Sequence, residues 1–182
     1  VVVGFDSEAE AVVLGHDGIA GAARPGLIVG IASTVAPRTM HKLAGKLAGS
    51  GVVLLDMPLT RGEPAAEAGK MLTMVGGDAA ALEACKPALA TFSNSIYHVG
   101  DLGAGQVGKM VNNLILWACI SANDEGFKIA DKLGVGREAL RTALLDSSAG
   151  NWALETRPED KPMPWAEKDM TIVLNEADAA RL

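Results

Sequence analysis

Short apolar runs alternate with amphipathic stretches along the first half of the chain. The spacing predicts strands at Val1–Val3, Leu27–Ile31, Val52–Leu55, Leu72–Val75 and Ser95–Val99. Helical spacing covers Ser7–Leu14, Pro37–Ala48, Pro64–Ala68 and Asp78–Ala90, the last with Asp78 as its N-cap. Pro25-Gly26 and Gly76-Gly77 punctuate the pattern as turns. Strands alternating with helices of this length predict βαβ units and a mostly parallel sheet. After Gly105 the pattern changes. From Gln106 to Leu133 the only strong breaker is Gly126, which predicts one helix of more than ~20 residues. Its stretch from Met110 to Ile120 is apolar on nearly every face apart from Asn112 and Asn113. Such a helix is expected to be buried on several sides, between domains or subunits. Further helices are predicted at Arg137–Asp146 and Trp165–Ala180, with a turn containing Pro158, Pro162 and Pro164 between them. The chain thus divides near Gly100, into an α/β part over 1–101 and the start of an all-α part over 102–182.

Composition narrows the possibilities. A length of 182 residues suits one large domain or two small ones. Sixteen Lys+Arg against 22 Asp+Glu give a net charge of −6, which argues against a general grip on nucleic acid or an anionic membrane. At 49% hydrophobic and 21% charged residues the chain reads as globular and not disordered. Two cysteines, Cys85 and Cys119, exclude a disulfide scaffold and a cysteine-based zinc cluster. His16, His41 and His98 lack metal-ligand spacing, so no metal site is expected. The longest apolar run, Leu114 to Ile120, falls far short of the ~20 residues that span a bilayer. With no secretory signal at the front, a cytoplasmic location is the default expectation. Val1-Val2-Val3 reads as a strand already in progress, and Ala179–Leu182 stop inside a helical pattern. Both ends read as the middle of a longer protein.

Gly103-Ala104-Gly105-Gln106-Val107-Gly108 matches G-x-G-x-x-G by letter, with a strand before it and a helix after. A dinucleotide fingerprint also needs a second strand and a ribose-binding acid within about 30 residues, and here a long helix runs on instead. The preferred reading is that these glycines let backbone and ligand come close at a helix N-terminus. Lys109, Asn112 and Asn113 follow at once, three and four apart, so the amine and both carboxamides share a face. Apolar neighbours Met110, Val111, Leu114 and Ile115 are expected to strip water from the amine, favouring its neutral form. That is how a lysine becomes a proton donor and acceptor near neutral pH. The competing reading is a snorkelling lysine with asparagines that bond to neighbouring turns.

Gly103 to Asn113 together resemble the catalytic motif of the β-hydroxyacid dehydrogenase family. Ala32-Ser33-Thr34-Val35-Ala36-Pro37 is similar to its Ser-Thr-x-x-Pro segment, and Asp56-Met57-Pro58-Leu59-Thr60-Arg61-Gly62 to its Asp-x-Pro-Val/Leu-Ser-Gly-Gly substrate loop. Gly69 through Gly77 matches the following strand, and Lys168-Asp169-Met170 its late Lys-Asp-Leu. The resemblance implies a partial Rossmann-type parallel sheet, a long interdomain helix and a helical C-terminal domain. It implies an NAD(P)-dependent oxidoreductase that moves a hydride between nicotinamide and a small 3-hydroxy acid or its semialdehyde, in a cleft between domains. Lys109 would be the general acid/base. Asn113, with Asn112 beside it, would orient the substrate oxygen, and Thr60, Arg61 and Gly62 would bind the substrate's acid group. Phe5, Ser33 and Thr34 would line the cofactor, and Lys168 would close over it. A homodimer or homotetramer is expected.

Two departures stand out. Arg61 replaces the first glycine of the loop, and its planar fork suits a carboxylate, sulfonate or phosphate, as in the sulfolactaldehyde reductases of that family. The family's N-terminal glycine turn, which holds the pyrophosphate, would precede Val1. The choice between NAD and NADP lies in that same segment. Its absence motivates the alternative of a truncated, non-catalytic paralogue acting as a dimerisation or binding module.

Overall fold

The computed structural model describes residues 1–157 and 163–181. In chain order the elements are α1 (Asp6–Leu14), a 3-10 turn (Ile19–Ala22), β1 (Ile28–Ile31), α2 (Pro37–Lys46), β2 (Val53–Asp56), β3 (Leu59–Thr60) and α3 (Gly62–Glu67). They continue with β4 (Met71–Gly77), α4 (Ala79–Leu89), β5 (Ser93–Gly100), α5 (Ala104–Lys132), α6 (Arg137–Leu145), α7 (Trp152–Thr156) and α8 (Ala166–Ala180). The chain forms two units. One runs from Val1 to Met110 and the other begins at Val111, within α5.

In the first unit the longer pairings are parallel, β1 with β2 and β4 with β5. The sequence pattern did not reveal β3, a two-residue strand that pairs antiparallel with β4. β2 also meets β4 antiparallel, at Leu55↔Gly77 and Asp56↔Gly76. The expected strand at Val1–Val3 is extended chain beside β1, where Ala32 N–H donates to the Val1 carbonyl at 2.9 Å. Successive residues of β2 point to opposite faces. Leu54 joins Ala9, Val13, Ile31, Met40 and Leu43 on one side, and Leu55 joins Val75, Leu82 and Leu89 on the other. The sheet is therefore covered on both faces, as a parallel-type sheet requires. Asp78 caps α4 as expected, its Oδ1 accepting from Ala81 N–H at 2.7 Å.

The second unit has a thinner interior. Its buried apolar residues are Ala130, Ala153, Leu154, Ile172 and Val173 among the described residues. Asn151 caps α7 by accepting from Leu154 N–H, and exchanges two 3.1 Å amide bonds with Asn123 of α5. The sequence pattern missed α7 because five residues are too few to show a period. Within this chain α5 is not covered on every face. Val111, Leu114 and Ile115 are exposed, because no described element lies over that stripe. Of the proline turn, Pro158 and Pro162 lie outside the described residues.

Candidate active site

The loop after β1 is stitched to the segment before α1. Val3 N–H donates to Ser33 Oγ at 2.6 Å, and Asp6 Oδ1 accepts from Ala36 N–H at 2.9 Å and from the Thr39 hydroxyl at 2.5 Å. These bonds bring exposed Phe5 and half-buried Thr34 to one edge of the unit. Ser33 is different. It is buried, and its hydroxyl and carbonyl oxygens both accept bonds from the chain, so its visible task is to shape the loop.

The end of β2 carries Asp56, which is fully buried. Its Oδ1 accepts from Gly103 N–H at 2.6 Å and its Oδ2 from Gln106 N–H at 2.7 Å. A carboxylate placed on the first N–H groups of a helix satisfies donors that the helix itself cannot and complements its dipole. The anion-binding end of α5 is therefore filled by the chain's own side chain. This corrects the expected role of the glycines, whose close neighbours belong to the fold. A Cβ on Gly105 would stand 2.5 Å from the Met74 carbonyl and 2.7 Å from Asp56 Oδ2, and one on Gly108 would stand 2.8 Å from Met74 Sδ. The glycines let α5 lie against β4.

Lys109 is half-buried on the second turn of α5. Of the apolar neighbours expected to dehydrate it, Met110 is half-buried and Val111, Leu114 and Ile115 are exposed. One turn further on, Asn113 is buried and its amide orientation is fixed. Nδ2 donates to Asp169 Oδ2 at 2.8 Å, and Oδ1 accepts from Asn112 Nδ2 at 2.9 Å. A carboxylate only accepts, so the amine end must face Asp169. Trp117 Nε1 donates to the same Oδ2 at 3.2 Å. Lys168, beside Asp169 on α8, is half-buried.

In the substrate-like loop Thr60 is buried, and Arg61 and Gly62 both take left-handed backbone, with φ of 84° and 73°. For a non-glycine residue that conformation costs roughly 1–2 kcal/mol. Arg61 offsets it with its guanidinium. Nη1 donates to the Lys70 carbonyl (3.1 Å) and Asn94 Oδ1 (2.7 Å), and Nη2 donates to Ser95 Oγ (3.1 Å). The fork expected to face a substrate anion thus meets acceptors on the chain itself, beside β4 and on β5.

Comparison with known proteins follows the same two-part division. Residues 1–100 match the family described as the NAD binding domain of 6-phosphogluconate dehydrogenase. Residues 103–182 match the one described as NAD-binding of NADP-dependent 3-hydroxyisobutyrate dehydrogenase. This chain belongs to the β-hydroxyacid dehydrogenase family. It is 38% identical over 147 residues to a 3-hydroxyisobutyrate dehydrogenase of Pseudomonas aeruginosa, covering 80% of this chain and 49% of that protein. It is 36% identical over 146 residues to an NAD-dependent L-serine dehydrogenase of the same organism, with 80% and 49% covered. The solved Mycobacterium tuberculosis 3-hydroxyisobutyrate dehydrogenase with L-serine superposes with a TM-score of 0.85 at 25% identity, over 100% of this chain and 67% of that one. The chain spans about half the length of the curated relatives it matches.

The β-hydroxyacid dehydrogenase fold implies NAD or NADP, and the residues present fit part of such a group. Thr34, a half-buried hydroxyl residue, follows the C-terminal end of parallel strand β1, where open α/β sheets receive nucleotides, and exposed Phe5 lies on the segment bonded to the same loop. Asp56, Gln106 and Asp169 stood inside the quoted motifs, but the sequence reading gave none of them a role. Asp169 left a trace, being an acid in the same helical phase as Ile172 and Val173. The partners of Asp56 and Gln106 left none, because they lie some 50 to 70 residues away.

Proposed function

We propose that the complete protein is an NAD(P)-dependent oxidoreductase acting on a small 3-hydroxy acid or its semialdehyde. The observation that supports this most is Lys109 on α5, one helical turn before an asparagine whose amide is oriented by a buried carboxylate. When bound, the nicotinamide supplies or takes the hydride. The chain supplies the rest. Phe5 and Thr34 line the cofactor, Ser33 holds that loop in shape, and Lys168 contributes from α8. Lys109 Nζ donates a proton to the substrate oxygen in reduction, or accepts it in oxidation. Asn113 and Asn112 orient that oxygen. The backbone N–H groups of Arg61 and Gly62, turned by their left-handed conformation, receive the acid group, and Thr60 anchors the turn from β3. In this reading a carboxylate suffices as the anion, since the Arg61 guanidinium is already bonded.

The relatives support the substrate class. Their names cover a hydroxy acid and serine, both small β-hydroxy carboxylates. Assembly into a homodimer or homotetramer belongs to the same proposal, supported by the exposed apolar stripe Val111, Leu114, Ile115 on α5. The test is Lys109→Ala in the complete protein, assayed by nicotinamide absorbance with a panel of β-hydroxy acids. The expected outcome is a fall in kcat of about 10²–10⁴-fold. Turnover within twofold of wild type removes the lysine from proton transfer.

A further inference from the structure

Gln106 is 1% exposed, and its side-chain oxygen, side-chain nitrogen and backbone N–H are each bonded across the fold. Its Nε2 donates to the Ser33 carbonyl at 2.8 Å, and its Oε1 accepts from Val35 N–H at 3.2 Å. The two bonds fall on either side of Thr34. A single carboxamide thus does for Thr34 what a neighbouring strand does for a residue in a ladder, satisfying the carbonyl before it and the N–H after it. Meanwhile its backbone N–H is held by Asp56. Lys109 follows three residues later on the same helix, on the same side.

We propose that Gln106 is a positioning residue that sets the spacing between Thr34 and Lys109, and so between the cofactor's edge and the proton donor. The inference rests on the functional reading above. Its chemistry is narrow. The Ser33 carbonyl only accepts and the Val35 N–H only donates, so the side chain must offer one donor and one acceptor at this reach. Glutamine does. Methionine, of similar length, offers neither and leaves two buried backbone groups without partners. An ionised glutamate sets an oxygen against the Ser33 carbonyl. A protonated glutamate restores the glutamine pattern, donor and acceptor both. Burial favours that neutral form, as does the carboxylate of Asp56, which faces the same residue through its backbone N–H.

The experiment compares wild type, Gln106→Met, Gln106→Glu and Lys109→Ala as complete proteins. Three quantities are read: the dissociation constant of the nicotinamide dinucleotide by fluorescence, hydrogen exchange at the Val35 amide, and kcat. Gln106→Met is expected to speed Val35 exchange, weaken the dinucleotide about tenfold, and lower kcat about 100-fold. Gln106→Glu is expected to show the same defects at high pH and to recover affinity as pH falls, with wild type flat over that range. Affinity and Val35 exchange within twofold of wild type in folded Gln106→Met overturn the proposal. If that variant does not fold, wild-type behaviour of Gln106→Glu at every pH overturns it. Wild-type turnover in Lys109→Ala sinks the acid/base reading instead, and leaves the affinity and exchange results to judge Gln106.

Discussion

Asp56 and Asp169 are the buried aspartates among the described residues, one in each unit, and they are held in opposite ways. Asp56 accepts from two backbone N–H groups at the start of α5. Asp169 accepts from two side chains, Asn113 and Trp117, further along the same helix. A carboxylate bonded to backbone fixes where a helix begins. A carboxylate bonded to side chains fixes rotamers and amide orientation, and leaves the helix path to apolar packing. The surroundings differ too. Asp56 sits on a sheet with a packed apolar cluster on each face, whereas Asp169 shares a small interior with Ile172, Val173 and few others. The first is a foundation for the fold and the second fixes the side chains of Asn113 and Trp117.

The largest effect expected from this contrast is at Asp56. Asp56→Ala orphans two buried N–H groups at the first turn of α5 and is expected to cost about 3–5 kcal/mol of stability by urea unfolding. Asp169→Asn keeps shape and volume but removes the charge, and it can still accept from Asn113 and Trp117 only with its amide oxygen turned to the place of Oδ2, the oxygen that both donors share. A smaller cost of about 1–3 kcal/mol is expected, together with a fall in kcat through misorientation of Asn113. Should Asp169→Asn lose as much stability as Asp56→Ala while keeping kcat, the contrast is broken.

The smallest effect lies at the far end of α5. Arg137 bonds Asp131 at 2.9 and 3.1 Å and stands 5.7 Å above the Phe127 ring. Its hydrogen bond holds the Asp131 carboxyl below the usual value of 3.8. A carboxyl whose folded pKa is depressed contributes stability above its unfolded pKa and loses it as pH falls through the folded one. Arg137→Ala should return Asp131 to the ordinary range by NMR titration, and should change stability only slightly, since the pair is solvent-exposed. An unchanged titration removes the pairing.

Much of the fold was legible because it is written in period. The strand-to-helix alternation, the Asp78 cap and the continuity of α5 from Ala104 to Lys132 follow from apolar spacing and from an absence of breakers. What stayed hidden was too short or too distant to leave a period. β3 has two residues, and its pairing with Leu72 and Thr73 depends on the left-handed turn at Arg61 and Gly62. For the site, the motif Lys109 to Asn113 was readable as spacing on one helix. The destination of the Arg61 guanidinium was not, because Asn94 and Ser95 lie more than thirty residues on. The glycines of the Gly103–Gly108 run were visible as a need for close approach, yet nothing in the letters said that β4 and Asp56 were what came close.

The account turns on a proton passing through the Lys109 side chain. Chemical rescue measures that directly: turnover of Lys109→Ala in the complete protein, with and without added methylamine, at saturating dinucleotide and β-hydroxy acid. A loss of at least about 100-fold, partly restored in proportion to the free amine, is the predicted result. Wild-type turnover without amine, or a loss that no primary amine repairs while the folded structure and dinucleotide affinity are intact, contradicts it.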